Sequence, residues 1–211
     1  MREGSGARTR GAGGPVASAS GGSRQGRRVR RGPEAPADRP PEPDADPEAV
    51  ARRICLQQLE HAPRTRAELR ATLLKREVPE DVAERVLARF SEVGLVDDVV
   101  FAQLWVSSRH RGRGLAGRAL SQELRRKGVD EQVLQAAVEE LDPEQELATA
   151  RSLVARRLSA SRGLEPQARV RRLVGMLARK GYPAGLAFRV VREALAQEGV
   201  DPELVPDDPE S

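Results

Sequence analysis

The chain has 211 residues, of which 38% are hydrophobic, 32% charged and 2% aromatic, with a formal net charge of +4. That is too polar for a helical membrane protein and too poor in aromatic and β-branched residues for a typical sheet protein. The charge is an average over unlike blocks: +7 over residues 1–32, −5 over 33–48, +8 over 49–196 and −6 over 197–211. A basic body with an acidic tail predicts a polyanion or an acidic protein surface as partner.

Residues 1–46 are Gly, Ser, Ala, Pro and Arg without period, ending in Pro40-Pro41-Glu42-Pro43-Asp44, and are predicted to be a disordered tail, basic and then acidic. The basic start lacks an apolar core segment, so no secretory signal is expected and the predicted compartment is the cytoplasm. Helix punctuation then begins. Asp46-Pro47-Glu48 reads as an N-cap with proline in the first turn, Thr65-Arg66-Ala67-Glu68 as a capping box, and Asp142-Pro143-Glu144-Gln145 as both devices together. Pro79 and Pro183 open further helices, while Gly94, Gly128, Gly181 and Gly199 follow apolar-periodic runs as C-terminal caps do. These signals predict helices at 47–60, 66–76, 79–91, 98–110, 115–127, 130–141, 143–161, 166–180 and 183–197. Residues 199–211, with Pro202, Pro206 and Pro209, read as an acidic disordered tail.

The nine helices form three sets of three. Leu69-x3-Leu73-x2-Arg76-Glu77-Val78 recurs as Leu120-x3-Leu124-x2-Lys127-Gly128-Val129 and again as Leu173-x3-Leu177-x2-Lys180-Gly181-Tyr182. Each unit is too small to bury its own apolar stripe, so stacked neighbours are implied. The expected fold is all-α: three tandem three-helix, helix-turn-helix-like repeats, at 47–94, 95–141 and 142–198, in an elongated, curved array.

The text Gly94-Leu95-Val96-Asp97-Asp98-x2-Phe101-Ala102-x2-Trp105-Val106-x2-Arg109 continues as Arg111-Gly112-x-Gly114 and Leu120-x3-Leu124-Arg125-x-Lys127-Gly128-Val129. With Arg179-Lys180-Gly181-Tyr182 and Ala187-x3-Val191, this pattern resembles the RecX family over about 49–197. Val99-Val100 departs from it, since the family more often carries a charged residue there. The resemblance implies a regulator that binds the RecA recombinase along its nucleoprotein filament, lowers its ATP hydrolysis and strand exchange in homologous recombination, DNA repair and the SOS response, and also binds DNA.

Basic residues crowd the second and third units. The candidate nucleic-acid and filament-binding residues are Arg109, Arg111, Arg113, Arg118, Arg125, Arg126, Lys127, Arg156, Arg157, Arg169, Arg172, Arg179 and Lys180, expected as a stripe along one concave side. Arginine forks match phosphate and carboxylate, and Arg111-Gly112-Arg113-Gly114 reads as a helix connection that lets backbone approach a phosphate chain. No aromatic interleaving accompanies them, so contact with single- or double-stranded DNA is expected through phosphates rather than bases.

Phe101 and Trp105 read as one packed helix face, Phe90, Tyr182 and Phe188 as interface residues between units, and Asp97 and Asp98 as caps. Cys55 is the only cysteine, His61 and His110 stand apart, and no nucleophile–base pair, zinc spacing or phosphate-cradling glycine loop is present. No catalysis, cofactor, metal, small-molecule ligand or membrane contact is expected, and a monomer is. The alternative is a general DNA-binding helix-turn-helix or nucleoid-associated protein acting without RecA. Against it, the fifth predicted helix begins Leu115-Ala116-Gly117-Arg118, a poor base-reading start.

Overall fold

The computed structural model describes residues 46–200; of the expected tails at 1–46 and 199–211, residues 1–45 and 201–211 lie outside the described residues. Among the described residues there are nine α-helices and no strand: α1 (Pro47–His61), α2 (Arg66–Lys75), α3 (Glu80–Glu92), α4 (Asp98–Arg113), α5 (Gly117–Arg126), α6 (Glu131–Glu139), α7 (Pro143–Leu158), α8 (Pro166–Arg179) and α9 (Ala184–Gln197). One 3-10 turn, Ser159–Ser161, continues α7.

The start signals act as their chemistry requires. The Asp46 carboxylate accepts from the Glu48 N–H beside Pro47. Thr65 and Glu68 form a reciprocal capping box. Asp130 and Asp142 cap α6 and α7 through the second residue of each helix. Asp97 accepts from both Val99 and Val100, whereas Asp98 does not cap its own helix but accepts from the Arg66 N–H at 2.9 Å.

Helices pack principally within triplets, and each triplet holds its own core. The repeated leucines are the centre of each: Leu69 and Leu73, Leu120 and Leu124, and Leu173 and Leu177 are all essentially inaccessible. Val78, Val129 and Tyr182, which follow the three stops, are buried as well. Phe90 lies inside the first core and Phe188 packs against the third, so these two are core residues of their units rather than the interface residues expected. Val200 also packs on the third core, and its N–H donates to Leu195, so that unit extends past Gly199. Cys55 is buried in the first core, where desolvation pushes its thiol up to about 11 and keeps it protonated.

Two boundaries differ from the sequence reading for physical reasons. α4 runs on through Arg113 and stops only at Gly114, whose φ of 61° forms a left-handed cap. Arg111-Gly112-Arg113 is thus the last helical turn rather than a connection. At the other boundary, α5 begins at Gly117 because Leu115 and Ala116 stay extended to meet the third unit.

Arg169 is the clearest departure from the expected binding residues. It is buried, at 6% exposure, and its guanidinium reaches Ser161 Oγ at 3.2 Å and the Glu198 carboxylate. Glu198 also accepts from Arg162 at 2.7 Å. Arg169 therefore holds the base of the third unit together and is not available to a phosphate. Arg169 and Arg162 hold the Glu198 carboxyl below its ordinary range. A carboxylate depressed in the folded state stabilises above its unfolded pKa, and that contribution is lost as pH falls through the folded one. The third unit is accordingly expected to lose stability below the ordinary pKa of 4.5, with Glu198→Gln flattening that acid limb in thermal unfolding followed against pH. An unchanged limb in the variant would remove this triad from the account.

Candidate nucleic-acid interface and the joints beneath it

The three units meet through two joints built on one plan. At the first, the N-terminus of α2 receives the stop that follows α5. Thr65 Oγ1 donates to the Lys127 carbonyl at 2.7 Å, and Lys127 Nζ donates to Glu68 Oε1 at 2.7 Å. At the second, the N-terminus of α5 receives the stop that follows α8. Here the Ala116 N–H donates to the Lys180 carbonyl at 2.9 Å. A carboxylate from the next unit also satisfies the first orphan N–H of the receiving helix each time: Asp98 for Arg66, and Glu146 for Gly117. Tyr182 Oη adds a bond to the Gly114 carbonyl at 3.2 Å. His110, also buried, bridges the Leu115 carbonyl and Thr149 Oγ1.

The stop glycines are required by this contact. Gly128 and Gly181 have φ of 72° and 89°. A Cβ on Gly128 would lie 2.4 Å from Ala67 Cβ, and one on Gly181 would lie 2.5 Å from the Ala119 nitrogen. The first unit has the same left-handed stop, at φ 61°, but the residue there is Glu77. Among the described residues no unit packs on it and Glu77 is exposed, so a side chain fits.

The expected binding residues separate into three groups. The first is tied into the fold. Lys127 belongs to the first joint and lies 4.4 Å from the Trp105 ring centroid, while Arg109 lies 4.1 Å from the same ring and 3.7 Å from Glu123. Trp105 itself stacks on Phe101 and donates to Glu123 Oε2 at 2.9 Å. Arg125 forms a two-pronged pair with Glu131, whose carboxyl is held down at about 2. Arg169 is buried, as described.

A second group gathers at the second joint. Lys180 Nζ donates to the Arg113 carbonyl at 2.5 Å. Partial burial lowers the Lys180 pKa, and the charges of Arg156, Arg113 and Arg157 push the same way. Arg113 has a distant contact with Glu123, at 3.9 Å, and among the described residues Arg156 reaches only the Ser152 carbonyl.

The third group projects into solvent without a carboxylate partner among the described residues: Arg111, Arg118, Arg126, Arg172 and Arg179. Arg111 bonds only Ser107 Oγ. Arg171, outside the expected set, belongs here too. It holds the position on α8 that Arg118 holds on α5, and Arg179 corresponds to Arg126 in the same way. The repeat offset identifies it directly. In the first unit Arg52, Arg66, Arg70, Arg85 and Arg89 are paired with Asp or Glu of that unit, whereas Arg53, Lys75 and Arg76 are exposed without a carboxylate partner among the described residues.

A cavity of about 170 Å³ lies between α4, α6 and the start of α7, lined by Val106, His110, Arg111, Ala137, Glu140 and Leu141 among others. No group of three or more His, Cys, Asp or Glu residues suited to a metal is found among the described residues, and none of the described helices is long and apolar enough to cross a membrane.

Comparison with known proteins gives a consistent result. Residues 51–90, 97–138 and 144–191 match the models for the first, second and third three-helix domains of RecX. The chain is 61% identical over 167 residues to a protein of Thermobifida fusca named regulatory protein RecX, covering 78% of this chain and 90% of that one. Its identity to the protein of the same name from Streptomyces coelicolor is 59%, covering 79% and 89%. The crystal structure of RecX from Lactobacillus salivarius shares the fold, with a TM-score of 0.66 at 16% identity over 72% of this chain and 98% of that one.

Proposed function

Because this chain belongs to the RecX family of regulatory proteins, we propose that it binds the RecA recombinase on its nucleoprotein filament and lowers ATP hydrolysis and strand exchange during recombination and repair. The protein acts as a monomer, without catalysis of its own, in the cytoplasm. The units span neighbouring filament subunits and place arginines against DNA phosphates. The observation that carries the DNA part is the repeated register of carboxylate-free arginines, Arg118 and Arg126 on α5 and Arg171 and Arg179 on α8.

Inhibition requires that the protein bind one filament state more tightly than another. A chain of units joined at two points is suited to this, because a filament state in which all its units can seat together is bound more tightly than one in which they cannot. The test is DNA-dependent ATP hydrolysis by the cognate recombinase, titrated with the full chain. Inhibition below one molecule per recombinase subunit is the expected result. No effect on hydrolysis, together with salt-sensitive binding to bare duplex, would favour a DNA-binding protein that acts without the recombinase.

A further inference from the structure

The two joints share their hydrogen-bond plan but not their charge balance. At the first, the stop lysine meets a carboxylate, Glu68, the third residue of α2. The third residue of α5 is Ala119. Lys180 therefore finds no carboxylate in the place where Lys127 finds one, and its ammonium bonds a carbonyl instead. Glu146, which the third unit brings to that joint, is already engaged with the Gly117 N–H. Lys180 Nζ sits on the Arg113 carbonyl, and the side chain of Leu153, one turn before Arg156 and Arg157 on α7, lies against Gly114. Like charges from the second unit (Arg113) and the third (Arg156, Arg157, Lys180) therefore meet across the joint. Repulsion of this kind opposes closure of the joint, and an anion that neutralises it favours closure.

We propose that a phosphate oxyanion binds at the second joint among Lys180, Arg113, Arg156 and Arg157, takes the electrostatic part that Glu68 plays at the first, and locks the second unit to the third. The ligand class is phosphate, whether free in solution or a phosphodiester of a nucleic acid strand. The inference extends the phosphate contacts of the proposed function, yet it concerns the isolated chain and needs no recombinase. The consequence is that the array is stiff at its first joint and closes at its second on contact with phosphate.

Amide hydrogen exchange reads each joint separately. The Ala116 and Gly117 N–H groups report the second joint and the Arg66 N–H the first. Inorganic phosphate is titrated at constant ionic strength against chloride, with a parallel arm using a short single-stranded oligonucleotide. At a phosphate concentration ten times its dissociation constant, exchange at Ala116 and Gly117 is expected to slow about tenfold, with Arg66 unchanged. Slowing by the oligonucleotide but not by free phosphate also supports the site and assigns its ligand to a nucleic acid strand.

Ala119→Glu should make Ala116 and Gly117 slow without phosphate and indifferent to it, while Ala119→Gln keeps the phosphate response. Should Ala119→Glu not fold, the surface pair Arg156→Gln and Arg157→Gln serves instead, and is expected to abolish the response. The proposal is overturned if neither anion slows Ala116 beyond the chloride control, or if Arg66 slows equally. A chain that shows the response but leaves recombinase hydrolysis untouched would refute the proposed function and keep this site.

Discussion

Gly128→Ala and Gly181→Ala should each break a joint while leaving the three cores intact. An alanine pays about 1–2 kcal/mol for the left-handed backbone, and forced overpacking adds about 1–3 kcal/mol. Both terms apply here, because the added Cβ would overlap Ala67 Cβ in one case and the Ala119 backbone nitrogen in the other. The second is the more severe, since a backbone atom within a helix cannot swing aside. Gly94→Ala is the control: its φ is 73°, yet nothing lies within 4 Å of the added Cβ, so only the conformational cost is expected. Glu77→Gly runs in the opposite sense, relieving the same conformation at the first stop, where the residue is exposed. Trp105, the sole tryptophan, carries a joint lysine close to its ring. Its fluorescence should therefore shift in Gly128→Ala and stay unchanged in Gly181→Ala under native conditions. Equal stability of Gly181→Ala and Gly94→Ala in denaturant unfolding would show that the joint is not a close contact.

The stops explain how much of this molecule was legible beforehand. Apolar stripes and caps are local: Leu120 and Leu124 lie one turn apart, and Thr65 and Glu68 sit in one helical turn, so period and punctuation reveal them. The recurrence of Lys-Gly was visible in the second and third units, and so was its absence in the first. Its reason was not, because the partner of each stop is a backbone or side-chain group about 60 residues away. Nothing in local text says that the Lys127 carbonyl meets Thr65. The same limit hid the fate of individual arginines. Arg169 and Arg172 look alike in sequence, but only Arg169 falls on the inner side of α8, where Glu198 closes over it. Gly112 misled for a different reason. A helix interior tolerates glycine at about 1 kcal/mol, and α4 has enough packing on its other residues to run through it.

The array also has ends, and they follow from the same joint. A further unit before the first would have to pack against Glu77, which carries a side chain where the later stops have glycine. Beyond the third unit, a next stop would have to reach the position on α8 that corresponds to Thr65 and Ala116. By the repeat offset that position is Arg169, already closed by Ser161 and Glu198 of its own unit. The two outer ends of the array thus differ from the inner joints, which argues against head-to-tail addition of a second copy through this same contact.

The arginines left free of the fold set the largest expected effect on function. Replacing Arg118, Arg126, Arg171 and Arg179 together with glutamine changes only exposed side chains that have no carboxylate partner among the described residues, so the melting temperature should stay nearly constant. If each contacts a duplex phosphate, the slope of log affinity against log salt should fall by about 0.9 per residue, or roughly 3–4 in all. Between low and physiological salt such a loss amounts to a hundredfold or more, and it should be uniform across sequences because phosphates carry no base information. Arg52, Arg70 and Arg85 of the first unit form the contrast set: they are already paired with Glu48, Asp81 and Glu84. Their replacement should disturb that unit's stability and hardly alter the salt slope. An unchanged slope in the fourfold variant would mean that these guanidinium groups face away from DNA, and the search for the polyanion contact would move to the cluster at the second joint. A normal slope combined with lost inhibition of recombinase ATP hydrolysis would instead place the same four residues against protein.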